Sequence, residues 1–144
     1  MVSWREELIA EARTWLGTPY HPEGRIKGVG VDCGGLVYEL YNPHFGPFAP
    51  YPRYSSDWGL HGNEEKYLDF IKPHVVPVER PIMGSISLFH LGRAYAHAAI
   101  YMGNEKYIHA WGRPGQGHVT ITPARVMRTF AKGHPIKHFD PVTP

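Results

Sequence analysis

The sequence predicts a single α+β domain over residues 1–144, in which N-terminal helices pack on an antiparallel β-sheet. Apolar residues at helical spacing are concentrated in the first half of the chain, and short β-branched or aromatic segments fill the second half. Helices followed by strands are typical of an α+β fold. The 144 residues fit one domain, and 16 glycines with 14 prolines predict many loops between short elements.

The first helix is predicted from its N-terminus. Ser3 and Glu6 form an S-x-x-E capping box, in which each side chain satisfies a free backbone N–H of the first turn. The helix is expected to end at Gly17-Thr18-Pro19, and residues 17–31 are expected to form an ordered but irregular loop. The apolar residues that follow the cap recur at helical spacing and predict one stripe: Trp4, Leu8, Ala12, Trp15 and Leu16.

A second helix is expected to begin at Cys33, with Asp32 as its cap, and to end at Asn42-Pro43. Asn63 is expected to cap a short third helix that runs through Lys72. Between them, residues 43–62 lack any periodicity, and a loop of this length is more often functional than idle. Four of its side chains either line a groove or cover the core: Tyr51, Arg53, Tyr54 and Trp58.

Five short segments separated by Gly or Pro predict strands in the second half: Val75–Glu79, Ser85–His90, His97–Met102, Lys106–Ala110 and His118–Ile121. Thr122-Pro123 is typical of a cap followed by proline at the first helical position, and predicts a short helix to Thr129. Ile136–Phe139 is expected to be a last strand, with His138 and Asp140 at the surface.

Residues 96–110 predict a hairpin that brings two histidines together. With a three-residue loop at Gly103–Glu105, Ile100 faces Ile108, and His97 and His109 become diagonal neighbours whose rings can touch. A two-residue loop would shift the register by one and separate the histidines. We prefer the first register because it pairs the two isoleucines.

Cys33 is the only cysteine, which excludes an internal disulfide but leaves a reactive thiol possible. A thiol at a helix N-terminus is expected to favour the thiolate, because the helix dipole and unpaired N–H groups stabilise negative charge. Gly34 and Gly35 would let a substrate backbone approach, and the Cys33 N–H could bind an oxyanion. The alternative is a buried structural cysteine.

Two imidazoles in contact suit a proton relay. His97 would take the proton of Cys33, and His109 would hold the His97 ring in a productive orientation. Two half-exposed strand histidines, or a zinc site, are the alternatives. Zinc is less favoured because the sequence has no H-E-x-x-H motif and no third ligand at a recognisable spacing.

Composition and charge indicate that two kinds of partner, nucleic acids and membranes, are not expected. Fifteen Lys and Arg against 13 Asp and Glu give a net charge of +2 without a basic run, so nucleic-acid binding is not expected. No apolar stretch approaches the ~20 residues that span a bilayer, so membrane insertion is not expected. Residues 1–7 lack the pattern of a signal peptide, and we expect the chain to be made in the cytoplasm.

Four motifs, in this order, resemble the NlpC-type cell-wall endopeptidases, which are papain-like cysteine peptidases: Gly17-Thr18-Pro19-Tyr20, Val31-Asp32-Cys33-Gly34-Gly35-Leu36-Val37, His97–Gly103 and Ile108-His109-Ala110. The similarity covers residues 4–111. It implies a papain-like fold and a triad of Cys33, His97 and His109. It also implies that Tyr20 lies near the oxyanion. No metal or other cofactor is implied.

The resemblance implies a substrate as well. Members of this family cut peptidoglycan stem peptides, typically between D-γ-glutamate and the diamino acid. Asp32, Gly34 and Trp111 are the residues that we expect to line the substrate site. Two positions depart from the family pattern. Gly34 stands where the family commonly has Ser, which bears on how a substrate amine is held, and Ser85 follows Gly84 where the family often has Asp.

The compact size and the Val-Asp-Cys-Gly-Gly motif are most similar to the branch encoded with phage tails and gene-transfer-agent particles. That branch implies a tail hub or baseplate partner and delivery to the periplasm or cell wall on a particle. The alternatives are an inactive structural tail component, a thiol-dependent acyltransferase of the same fold and a zinc amidase.

Overall fold

The computed structural model describes residues 2–51, 65–113 and 115–142. Among them, none of the helices combines the length and apolar character needed to cross a membrane. The elements in chain order are α1 (Trp4–Arg13), β1 (Arg25–Ile26), β2 (Gly30–Val31), α2 (Cys33–Phe45), α3 (Lys66–Ile71), a 3₁₀ turn (Lys72–His74), β3 (Val75–Val78), β4 (Ile86–Leu91), β5 (Ala94–Gly103), β6 (Lys106–Arg113), β7 (Gln116–Pro123), α4 (Ala124–Phe130) and β8 (Lys137–Pro141).

The predicted α+β architecture is confirmed. Within the described residues, six strands form one sheet in the order β3-β8-β4-β5-β6-β7, and every neighbouring pair in it is antiparallel. Helix α2 packs on β5 and β6, and α1 packs on α2. The main core between these helices and the sheet includes the fully buried side chains Leu8, Leu36, Leu40, Ile100 and Ile108. A smaller cluster beneath α4 contains Phe89, Ala99, Tyr107, Ala124 and Met127.

The edge of the sheet at β7 is covered by residues 17–20. Gly17 N–H donates to the Val119 carbonyl, and Tyr20 N–H donates to the Gly117 carbonyl, both at 3.0 Å. Tyr20 also bridges to Val31, at the end of β2. An unpaired sheet edge is thereby avoided, and Tyr20 is carried to the start of α2. The expected irregular loop over 17–31 is wrong in part, because β1 and β2 pair within it.

The β5–β6 hairpin has the register that the sequence predicts, with a different turn. Ile100 pairs with Ile108, as expected, but Gly103 rather than Met102 lies opposite Lys106. The turn residues Asn104 and Glu105 have positive φ angles of 51° and 58°, as in the tight two-residue turns of hairpins. A register shift at Met102 adds one residue to β5. The added residue compensates for a turn that is one residue shorter than predicted, so Ile100 still pairs with Ile108.

Several predicted boundaries differ from the structure. Helix α2 continues through Pro43 to Phe45, and the Gly46 N–H after it still bonds to the Asn42 carbonyl.

Ser3 accepts the Glu6 N–H as predicted, but the Glu6 carboxylate accepts from the Ser3 hydroxyl instead of a backbone N–H. Leu16 leaves the apolar stripe and is 42% exposed. The predicted cap at Asn63 and the loop residues Arg53, Tyr54 and Trp58 lie outside the described residues.

An ion pair joins the first helix to the last strand. Arg5 donates to both carboxylate oxygens of Asp140, at 3.2 and 3.0 Å, and also to the Met83 carbonyl at 2.8 Å. Ser85 donates to the same carboxylate at 2.8 Å. The expected surface position of Asp140 is wrong, because this carboxylate satisfies two partly or fully buried donors. His138 is likewise only half exposed and bonds to Ser87 at 2.7 Å.

Replacing Asp140 with Ala is expected to lower the free energy of unfolding by about 2 kcal/mol, because it leaves Arg5 and Ser85 without their acceptor. Urea denaturation at pH 7 measures this change. Asp69→Ala is the matched control, since its exposed pair with Lys72, at 3.7 Å, is of a class that contributes about 0–1 kcal/mol. Equal losses in the two variants would contradict the role assigned to Asp140.

Candidate active site

Asp32 holds the start of α2 in place, as the sequence predicts. Its Oδ1 accepts the Gly35 N–H at 2.7 Å, which is the helix cap, and its Oδ2 accepts the Glu23 N–H at 2.9 Å. The two bonds tie the helix to the loop before β1. Cys33, the first residue of α2, is therefore presented at a rigid position.

The sulfur of Cys33 lies against strand β5. The thiol donates to the Ala96 carbonyl at 3.6 Å, and the Ala98 N–H hydrogen-bonds to the sulfur. These two backbone groups flank His97 in the chain. The structure thus brings Cys33 to the stretch of β5 that carries His97, and the residue as a whole is partly buried.

His97 and His109 are in direct contact, which confirms the contact that the hairpin register predicts. Nε2 of His97 and Nδ1 of His109 are 2.8 Å apart and share a hydrogen bond. Nε2 of His109 bonds in turn to the Thr122 hydroxyl at 2.8 Å. Because Nε2 of His97 is occupied, Nδ1 is the ring nitrogen left to face a reacting group.

Aromatic side chains enclose the two histidines. The Trp111 ring meets His97 edge-on at 4.8 Å between centroids, and stacks on Phe130 at 4.6 Å. Phe89 lies 6.2 Å from His97 on the adjacent strand. His97 is 4% exposed and His109 is 1% exposed, so the alternative of two half-exposed strand histidines is excluded. A hydrogen bond in such a dry environment is stronger than one in water.

Burial keeps both imidazoles neutral. It lowers the pKa of His109 to about 4, and it lowers the pKa of His97 well below its usual range, with the neighbouring His109 adding to the effect. A neutral imidazole retains a lone pair and can accept a proton. At neutral pH His97 is therefore in the form that can accept a proton.

Burial, with a smaller contribution from the Asp32 carboxylate, raises the pKa of the Cys33 thiol to about 12, although backbone N–H groups at the helix start and at Ala98 act to lower it. The helix start does act in the expected direction, but the expected thiolate is not favoured overall, because burial outweighs that effect. Burial opposes a lone thiolate and a lone imidazolium alike, so a proton transfer from Cys33 to His97 would create both charges at once rather than either one alone.

Tyr20 belongs to the same group of residues. Burial raises the pKa of its phenol, and the nearby Cys33 and Asp32 raise that pKa further. The hydroxyl consequently stays protonated at neutral pH, and it can donate a hydrogen bond. This location agrees with the position that the resemblance implies for Tyr20.

Gly34 is buried by the protein itself. A Cβ at this position would lie 1.9 Å from the Tyr51 hydroxyl oxygen and 2.6 Å from a ring carbon of Tyr67. We expected Gly34 to leave room for a substrate backbone. That expectation is wrong on the side to which a Cβ would project, because Tyr51 and Tyr67 occupy it. The space that a serine would need is already filled by Tyr51.

Sequence reasoning missed Thr122, Phe130 and the contact of Tyr51 with Gly34. Thr122 could have been found by extending β7, because His109 pairs with Thr120 and the residue two places on lies on the same face. No local pattern signals the other two. In the described parts of the chain, no three His, Cys, Asp or Glu side chains are grouped so that they could hold a metal ion.

The chain resembles known proteins over most of its length. The model of the NlpC/P60 family matches residues 17–129. Murein DD-endopeptidase MepS/Murein LD-carboxypeptidase of Escherichia coli K12 is 25% identical over 109 residues, which cover 76% of this chain and 50% of that protein. The chain thus spans about half the length of the curated relatives it matches.

Solved structures agree in fold. The NlpC/p60 domain of the peptidoglycan hydrolase SagA superimposes with a TM-score of 0.58 at 23% identity, covering 99% of this chain and all of that one. RipD of Mycobacterium tuberculosis, described as a non-catalytic NlpC/p60 domain protein adapted to peptidoglycan binding, has the same TM-score and coverage at 17% identity. At these identities the likeness shows the fold alone.

The low pKa of buried His109 predicts that stability falls on acidification. Between about pH 6.5 and pH 4 the unfolded imidazole binds a proton that the folded one does not, so the folded state loses up to about 3 kcal/mol. Urea denaturation across this range measures the slope for the wild type and for His109→Gln, which is expected to flatten it. His118→Gln, which removes an exposed imidazole of β7, is the control. Identical slopes in all three proteins would contradict the assignment.

Proposed function

This chain belongs to the NlpC/P60 family, and on that premise we propose that it is a cysteine endopeptidase that hydrolyses peptidoglycan stem peptides. The observation that carries the proposal is the contact of the Cys33 sulfur with β5 at His97, together with the 2.8 Å bond from His97 to His109. The NlpC/P60 family and the name of the relative MepS, a murein endopeptidase, support the substrate class.

In the first step the sulfur of Cys33 attacks a peptide carbonyl carbon, and the thiol proton passes to Nδ1 of His97. His109 accepts the hydrogen bond from Nε2 of His97 and keeps the ring oriented while it carries positive charge. The oxyanion of the tetrahedral intermediate accepts hydrogen bonds from the Cys33 N–H and the Tyr20 hydroxyl. Each such donor typically contributes about 2.7–4 kcal/mol to the transition state.

In the second step His97 gives its proton to the leaving amine, the C–N bond breaks and a thioester remains on Cys33. A water molecule then loses a proton to His97 and attacks the thioester. The C–S bond breaks, and the proton returns to the sulfur. Protons in this scheme are carried by Cys33, His97 and water.

For specificity we propose the bond between D-γ-glutamate and the diamino acid, as the sequence resemblance implies. The Asp32 carboxylate, beside Cys33, and the partly exposed ring of Trp111 are proposed to contact the substrate. Gly34 contributes its backbone only, because Tyr51 fills the space beside it. Recognition in this protein therefore differs from that in relatives with a serine at position 34.

We further propose that the domain works on a phage or phage-like tail, which brings it to the periplasm or cell wall. This proposal is supported by the Val-Asp-Cys-Gly-Gly motif and its resemblance to the tail-associated branch. The partner is then a tail hub or baseplate protein. Purification of particles through a tag on this chain tests the idea, and recovery without any tail protein would refute it.

Digestion of purified peptidoglycan, with products identified by mass spectrometry, tests the enzymatic proposal. The wild type is expected to release truncated stem peptides, with or without a chelator, and Cys33→Ala is expected to release none because it lacks the nucleophile. His118→Gln is the matched control and is expected to keep full activity. The masses of the products identify the bond that is cut.

Other outcomes favour the alternatives. Loss of activity with chelator but not with Cys33→Ala would identify a metal-dependent amidase. Transfer of an acyl group to an amine rather than to water would identify an acyltransferase. No cleavage of walls from several hosts by a folded wild type would favour a structural or binding role, such as that described for RipD.

A further inference from the structure

We propose that Thr122 is a positioning residue for the histidine pair. Its hydroxyl supplies the acceptor that lets His109 carry its proton on Nε2, and thereby keeps His97 able to accept the proton of Cys33. The inference rests on the proposed function and deepens it. Thr122 lies outside the four motifs on which the sequence resemblance is based.

The strand ladder places Thr122 beside His109. His109 pairs with Thr120 across β6 and β7, and Thr122 pairs with Tyr107. Side chains two residues apart on a strand lie on one face, so both threonines share the face that holds His109. The imidazole bonds to Thr122, with 2.8 Å between Nε2 and the hydroxyl oxygen.

Thr122 is not used as a helix cap, although the Thr-Pro pair predicts one. The N-cap position of α4 is Pro123, and no side chain caps this helix. The Ala124 N–H donates instead to the Glu105 carbonyl at 2.8 Å. The predicted capping role of Thr122 is therefore wrong, and its hydroxyl bonds to the imidazole instead of to the helix start.

The His97–His109 and His109–Thr122 hydrogen bonds each contain one proton. A neutral His109 donates from one ring nitrogen and accepts at the other, so the donors of the two bonds must point the same way along the chain of three side chains. When His97 donates from Nε2, Nδ1 of His109 accepts, so the His109 proton is on Nε2 and is donated to Thr122. Nδ1 of His97 is then free of a proton and can accept one from Cys33. Thr122 acts as the acceptor that completes this arrangement.

In the opposite direction the Thr122 hydroxyl donates to His109, and His109 donates from Nδ1 to His97. The His97 proton is then on Nδ1, and the ring cannot act as a base toward Cys33. Both imidazoles are almost fully buried, so an Nε2–H of His109 without an acceptor would be costly. The acceptor at Thr122 removes that cost and allows the productive arrangement.

Three variants test this role by steady-state kinetics on soluble peptidoglycan fragments. Thr122→Val removes the hydroxyl at nearly constant shape, and we expect kcat to fall by about tenfold or more with KM little changed. Partners that orient histidines in metal sites have effects of this size. Thr122→Ser restores the hydroxyl and should restore kcat. Thr120→Val makes the same change two residues along β7, at a threonine other than the one that bonds to the imidazole, and should leave kcat unchanged.

Ring nitrogen NMR of the resting protein at pH 7 supplies a readout that a purely structural role would not move. The proton of His109 is expected on Nε2 in the wild type, Thr122→Ser and Thr120→Val, and partly on Nδ1 in Thr122→Val. If Thr122→Val does not fold, Thr122→Ala takes its place. Full kcat with an unchanged tautomer in the variant would overturn the inference.

The two proposals fail in distinguishable ways. An active wild type with unaffected Thr122 variants would overturn the positioning role and leave the peptidase proposal intact. An inactive, folded wild type would overturn the peptidase proposal. The NMR readout would then still decide the positioning role, since an unchanged tautomer in Thr122→Val refutes it and a changed one supports it.

Discussion

The hydrogen bond between His97 and His109 is the interaction on which the rest of the site depends. It joins two neighbouring strands at 2.8 Å and is almost completely shielded from water. It requires the β5–β6 register that pairs Ile100 with Ile108, because a shift by one residue would turn the rings to opposite faces. Trp111 covers the pair, and burial holds both rings neutral, so one of them can take a proton.

The start of α2 supplies the other half of the site and obeys a different constraint. Asp32 uses both carboxylate oxygens to fix the first turn, and Cys33 consequently meets the backbone around His97. The same carboxylate, together with burial, opposes a free thiolate. In the proposed mechanism, reactivity of the sulfur therefore depends on transfer of its proton to His97 rather than on the helix start alone. The proposed mechanism requires both Cys33 at the start of α2 and the histidine pair of β5 and β6.

Much of this arrangement could be predicted from local sequence. The side chains of Ser3 and Asp32 cap helices where the pattern predicts them, since a cap involves residues close in sequence. The hairpin register followed from matching apolar residues. The turn itself did not, because Met102 adds a residue that no composition rule reveals. Thr122 was misassigned because Thr-Pro before a helix is typical of a cap, and only the strand ladder shows that the hydroxyl faces His109. The contact of Asp140 with Arg5 spans 135 positions and has no local signal.

Alkylation of Cys33 tests most directly the claim that His97 and the thiol act as one unit. Cys33 is the only cysteine, so the rate constant with iodoacetamide reports on it alone. We expect the wild type to react at neutral pH with His97 as the base, and His97→Gln to react far more slowly there and to gain rate as the pH rises, because burial opposes the thiolate when no base takes its proton. The same rates and pH profile in both proteins would contradict the account, and would show that the start of α2 activates the sulfur without His97.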